Sequence, residues 1–103
     1  MLHPYSIPEL SAILAPIAKK HGVRRVSVFG SVARGDAHAG SDVDLCIDAG
    51  AIESLLGLIA FRLDAEEALH ASVDLVTTDS NDRKFLSMIK PDEVVLYEDQ
   101  SKQ

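Results

Sequence analysis

Val26 to Asp48 reads VSVFGSVARGDAHAGSDVDLCID, and the fold turns on how this stretch is parsed. Val26 to Phe29 is a short apolar run closed by Gly30. Small residues with turn character follow, and then a second run in which acids alternate with hydrophobes. Asp42 and Asp44 stand at i and i+2, with Val43, Leu45 and Ile47 at the alternate positions. Side chains two apart on a strand share a face. A strand over Asp42 to Ile47 therefore projects both carboxylates together while its aliphatics enter a core. Two like charges on one face destabilise each other unless a cation sits between them. A hard divalent ion such as Mg²⁺, held by one or two carboxylates plus substrate phosphates, suits that place.

Gly30 and Ser31 supply the other half of a phosphate site. Glycine lets the chain turn sharply after a strand, and without a Cβ it admits a phosphate close to the backbone. Ser31 is expected to cap a short helix through about Gly35, whose first N–H groups face an anion. A lone Gly-Ser is ordinarily no more than a strand–turn–helix joint. Gly30, Ser31, Asp42 and Asp44 together are four specified residue types, each with a usage of roughly one in fifteen, so they coincide in about one window in fifty thousand. The joint spacing carries weight that the dipeptide does not.

Gly-Ser, ten residues, then Asp-x-Asp resembles the signature of the nucleotidyltransferase superfamily that includes DNA polymerase β. The wording FGSVARGDAHAGSDVDL is most similar to the minimal nucleotidyltransferases, the MNT-domain proteins paired with HEPN-domain proteins in prokaryotic toxin–antitoxin modules. The resemblance extends from the helix before Val26 to the closing VVLYE. It implies a polymerase β-like fold with acids on one edge of a small mixed sheet. It further implies that Asp74 matches the third carboxylate, on a strand beside the Asp-x-Asp strand; the residues alone make Asp74 a strand-end acid. Asp42, Asp44 and Asp74 are then the catalytic and metal-binding set, with Gly30, Ser31 and Arg34 on the nucleotide. The implied activity is transfer of AMP from ATP to a HEPN toxin, with two Mg²⁺ ions about 4 Å apart stabilising the entering and departing oxygens. A binding-only antitoxin and a small-molecule nucleotidyltransferase of the aminoglycoside-modifying sort are the alternatives. The latter ordinarily needs an added acceptor-binding domain.

Composition agrees with that class. A chain of 103 residues is read as one domain spanning 1–103, with 99–103 a frayed tail. Charged residues at 25% and hydrophobic residues at 47% describe an ordinary soluble globule. The net charge of −6 argues against a large nucleic-acid footprint, which needs clustered Lys and Arg, but not against ATP. Cys46 is the single cysteine, which fits a reducing cytosol and reads as a small buried hydrophobe. The start, MLHPYSIPEL, has no basic and apolar leader pattern, and the run Leu55 to Phe61 is too short to span a bilayer. A cytoplasmic protein without membrane contact is expected. Because no residues are left over for a second domain, a partner or oligomer is expected to complete the site. The apolar segment Val94 to Tyr97 is assigned to part of that contact surface.

Along the chain, a helix is predicted over Pro8 to His21, with a Ser6–Glu9 capping box, an apolar stripe of Leu10, Ile13, Leu14 and Ile17, and Gly22 as its stop. Pro16 is expected to kink it. Lys19, Lys20, Arg24 and Arg25 read as a solvated helix end first and a phosphate or partner contact second. Arg34 reaches either a phosphate or Asp36, and the two readings stay open. His38 is placed in solvent, and Asp48 at a strand-end turn rather than beside the metal. Ala51 to His70 is predicted helical, its pattern carried by Leu55, Leu58, Ile59, Arg62, Leu63, Glu66 and Glu67, with the two glutamates on a solvated face. Val73 to Val76 is a strand, Asp79 or Ser80 caps a helix to Ile89 with Phe85 and Leu86 inward, and Val94 to Glu98 closes the chain as a strand. The sum is an α/β chain in a two-layer α+β arrangement, helices packed on a small mixed sheet.

Overall fold

The computed structural model describes residues 5–38, 40–79 and 82–99. Helix α1 (Ile7–His21) opens on the anticipated capping box: Ser6 Oγ accepts from the Glu9 N–H at 3.2 Å and Glu9 Oε1 accepts from the Ser6 N–H at 2.8 Å. Gly22 ends it in the left-handed conformation. Pro16 lies inside without interrupting the helix. Leu10, Leu14 and Ala18 are buried, with Ile13 and Ile17 packed beside them.

Strand β1 (Arg25–Phe29) leads directly into the one-turn helix α2 (Gly30–Arg34), and β2 (Val43–Asp48) follows. Helix α3 (Leu55–Leu69) connects to β3 (Val73–Thr77). Helix α4 (Arg83–Ile89) passes through a 3₁₀ turn, Lys90–Asp92, into β4 (Val94–Glu98). The strands order β3-β2-β1-β4, with β2–β3 parallel and the other pairs antiparallel. This is the mixed sheet expected of the sequence. The helical crossover α3 is what lets β3 run parallel to β2.

Alternation then sorts the two faces. Val43, Leu45 and Ile47 join α1 and α3 in the main core, whereas Cys46 packs on the opposite face with Phe29 and Ile89 beneath α4. Burying one such Leu or Val contributes about 1.5–3 kcal/mol, so the α1–α3 layer supplies most of the stabilisation. Tyr5 Oη, just before α1, donates to the Leu69 carbonyl at the end of α3 at 2.7 Å, and Ser11 Oγ of α1 donates to the Leu96 carbonyl of β4 at 2.6 Å. Among the described residues no helix is long and apolar enough to cross a membrane.

Several local expectations are corrected. α3 starts at Leu55, capped by Ser54, not at Ala51, because Ala51 is held by its N–H to the Gly22 carbonyl at 2.9 Å. Its buried face is Phe61, Ala65 and Leu69, while Leu55, Leu56, Ile59 and Leu63 point outward. Glu66 is not merely solvated: its Oε2 accepts the Val73 N–H at 2.9 Å and starts β3. α4 is capped by Asp82, which accepts from the Phe85 N–H at 3.0 Å, rather than by Asp79; Ser80 lies outside the described residues. Asp99 is not frayed, since its N–H donates to the Arg24 carbonyl at 2.8 Å, and residues 100–103 lie outside the described set. The basic cluster is largely spent on internal pairs, Lys20 with Asp64, Arg24 with Asp48 and Arg25 with Glu93.

Candidate active site

Sheet register brings the acids together. Asp44 stands opposite Phe29 of β1 on one side and opposite Asp74 of β3 on the other. Asp42 precedes β2 by one residue and keeps the parity of Asp44, so it belongs to the same face. Since β3 is the outer strand, Asp74 lies at the open edge of the sheet, exposed, as is Asp42; Asp44 is half-buried between them.

The turn after β1 closes the other side. Phe29 pairs with Asp44, so the next residue, Gly30, starts α2 against that carboxylate. Gly30 has φ +74°, and a Cβ there would overlap Asp44 Oδ2. Only glycine meets both demands without strain. Ser31 is not the N-cap that the sequence suggests: Phe29 occupies that position without a side-chain cap, and Ser31 lies within the first turn. The leading N–H groups of a helix have no acceptor within the helix, so α2 presents its start beside the acids without a side chain of its own closing it.

Electrostatics mark Asp44 as the strained member. Its carboxyl is pushed above the ordinary range by burial first, then by the charges of Asp74 and Asp42, with Arg34 opposing. Arg34 itself is engaged twice at 3.2 Å, Nη1 with Asp92 and Nε with Asp36, and those hydrogen bonds strengthen its hold on its proton. Arg34 thus makes the Asp36 pair that the sequence allowed, and its charge also acts on Asp44. Asp92, 58 residues further on, is a partner that sequence proximity could not supply.

The remaining candidates fall elsewhere. Asp48 is at the far end of β2, paired with Arg24 at 3.6 Å and accepting from the Gly50 N–H at 3.3 Å, so it is the turn residue expected. His38 is exposed, accepting at Nδ1 from the Gly40 N–H. Cys46 is buried, and that burial raises its thiol away from reactivity.

Carboxylate oxygens are the donors a hard divalent ion takes, and an acid surrounded by acids is stabilised by one. Among the described residues, however, no three acidic, imidazole or thiol groups already stand together as a finished ligand cage. The arrangement fits an ion that enters with phosphate oxygens of its own, as Mg²⁺ does.

Comparison with known proteins agrees with this geometry. The family described as polymerase beta, nucleotidyltransferase, matches residues 13–102. The chain is 40% identical over 75 residues to a Methanocaldococcus jannaschii protein provisionally named a protein adenylyltransferase, covering 73% of this chain and 81% of that one. It is 38% identical over 79 residues to the protein adenylyltransferase MntA of Thermococcus cleftensis, covering 73% and 80%. Among solved structures, a toxin–antitoxin crystallised with AMP-PNP superposes with TM-score 0.75 at 20% identity, covering 87% of this chain and 74% of that one. A Shewanella oneidensis complex of a tri-AMPylated HEPN toxin with its MNT antitoxin gives TM-score 0.69 at 16% identity, covering 91% and 74%. The acids, the Gly30 turn and these matches lead to one assignment: the chain belongs to the polymerase β nucleotidyltransferase family.

Proposed function

We propose that this chain transfers AMP from ATP to a hydroxyl of a partner HEPN-domain protein and silences it as an antitoxin. The observation that carries the reading is the placement of Asp42, Asp44 and Asp74 on one sheet face against the glycine-started turn of α2. The adenylyltransferase names of the two relatives, and the AMPylated HEPN toxin bound to a similarly folded MNT protein, support the direction and the acceptor.

In this reading Asp42 and Asp44 would hold both Mg²⁺ ions, Asp74 would complete the ion that activates the nucleophile, and Gly30 and Ser31 would seat the triphosphate. The bound metal supplies Lewis-acid stabilisation of charge on the phosphate oxygens. Asp74 accepts the proton of the acceptor hydroxyl as its oxygen bonds to the α-phosphorus. The bond from that phosphorus to the bridging oxygen breaks, and pyrophosphate leaves with the electron pair. Arg34 exchanges Asp36 or Asp92 for a phosphate oxygen. One domain completed by its partner is the working unit, in the cytoplasm, where the free Cys46 thiol is at home.

The test is incubation of the chain with α-labelled ATP, Mg²⁺ and the product of the neighbouring gene, a HEPN-domain protein in this reading. Label should pass to the HEPN protein, and chelation of Mg²⁺ should stop it. Neutralisation of the toxin with no label transferred would leave a binding-only antitoxin. Transfer to an aminoglycoside but not to the protein would make the chain a small-molecule enzyme.

A further inference from the structure

Helix α3 carries more apolar surface than the core uses. Leu55 is 71% exposed, Leu56 78%, Ile59 36% and Leu63 52%, although Phe61, Ala65 and Leu69 of the same helix are wholly buried. Between this outer face and β3 runs a groove of about 310 Å³, walled by Leu55, Leu58 and Ile59 on one side and Leu75 and Thr77 on the other. Arg62 and Asp74 also border it. Because Glu66 of α3 binds the Val73 N–H, one helical turn beyond Arg62, the Arg62 end of the groove is the Asp74 end.

β3 is the outer strand of the sheet, so among the described residues its far backbone edge has no strand beside it. An open edge with an apolar groove alongside is the combination that takes an added extended segment: main-chain groups pair with the strand and alternate side chains enter the groove. From Thr77 to Asp74 is three residues, about 10 Å of extended chain at 3.3 Å per residue. A segment seated there delivers its side chains to Asp74 in register.

We infer that the groove between α3 and the edge of β3 is where the acceptor protein docks, with an extended segment whose apolar side chains fill the groove and whose acceptor hydroxyl meets Asp74. The inference rests on the proposed transfer of AMP to a protein. Continuity with Asp74 names the occupant, because a protein acceptor must reach that carboxylate and this is the apolar surface that adjoins it. A second copy of the chain is a poorer occupant, since each copy carries a net charge of −6. The opposite edge, β4, also exposes an apolar residue, Val95 at 45%, but lies across the sheet from the acids.

Leu55→Glu and Ile59→Glu place a charge in the groove from exposed helical positions, and Met88→Glu, at an exposed position of α4 outside the groove lining, is the control. Steady-state transfer of labelled AMP to the HEPN-domain protein is measured alongside calorimetric Mg-ATP binding and circular dichroism. The two groove variants should raise KM for the HEPN protein about tenfold or more, with kcat and Mg-ATP affinity within about twofold, while Met88→Glu behaves as wild type. An unchanged KM in both folded groove variants overturns the assignment. So does a wild-type dimer that Leu55→Glu dissociates without affecting KM. If wild type binds Mg-ATP yet labels no protein, the parent reading fails, and the docking site falls with it.

Discussion

Strand β2 carries acid toward both of its ends, on one face, and the two ends meet opposite fates. Asp48 is answered: Arg24 lies 3.6 Å away and the Gly50 N–H donates to it. Asp44 is not. Burial and the charges of Asp74 and Asp42 push it toward its neutral form, and the nearby cation, Arg34, is shared with Asp92 and Asp36. Residue type and strand parity are the same at both ends, so neither marks a site. What singles out the proposed site is charge that the chain brings together and does not neutralise.

Substitutions should separate the two ends of β2. The largest effect is expected at Asp74. Asp74→Asn should lower AMP transfer by about 10²–10⁴-fold, the range for losing a positioned base, while Mg-ATP affinity falls only modestly. That split marks an interaction made chiefly in the transition state. Single-turnover transfer measured beside calorimetry reads it, and wild-type transfer by a folded Asp74→Asn would remove Asp74 from the chemistry.

Gly30→Ala comes next. The left-handed backbone costs a residue with a Cβ about 1–2 kcal/mol, and the new methyl overlaps the Asp44 carboxylate. Denaturant unfolding should show that loss of stability, together with weakened nucleotide binding. A Gly30→Ala protein as stable as wild type would mean that the turn does not press on Asp44.

Proton linkage gives a smaller signal of the same contrast. Asp44 has a raised carboxyl pKa in the folded protein, so the native state binds its proton more tightly than the unfolded chain does. Its contribution therefore favours folding below the ordinary carboxylate range and is lost as pH rises from there through the raised value. In chelator, Asp44→Asn should flatten that part of the melting-temperature profile, and Mg²⁺ should offset the loss in wild type. A profile indifferent to Asp44→Asn would contradict the crowding of the three acids. Smallest of all is Asp48→Asn. It removes one exposed ion pair worth about 0–1 kcal/mol and should leave transfer within about twofold.

The parts legible in the sequence were those that local chemistry decides. The capping box of Ser6 and Glu9, the stop at Gly22 and the alternation of Asp44 with Val43 and Leu45 each depend on neighbours a few residues away. Asp74 depended on resemblance, because its meeting with Asp44 is set by strand register across the helical crossover α3. Asp92 carried no sequence signal as the partner of Arg34, for the same reason of distance along the chain. α3 was misjudged in a more instructive way. Its helical period is correct, yet a helix apolar on two arcs does not say which arc faces inward, and Phe61, Ala65 and Leu69 won over Leu55, Ile59 and Leu63. The adjacent pair Leu55-Leu56 was the available warning, since neighbouring helical positions point about 100° apart and cannot both seat in a narrow stripe. The start of α3 had its own unused signal in Ser54, the residue that caps it.

The unneutralised end of β2 is the proposed Mg-nucleotide site. Calorimetric titration of Mg-ATP into Asp44→Asn and Asp48→Asn, side by side with wild type, tests it most directly. Asp44→Asn should lose most of the binding while remaining folded, and Asp48→Asn should keep the wild-type affinity. Equal affinities in the two variants, or a loss confined to Asp48→Asn, would contradict the account.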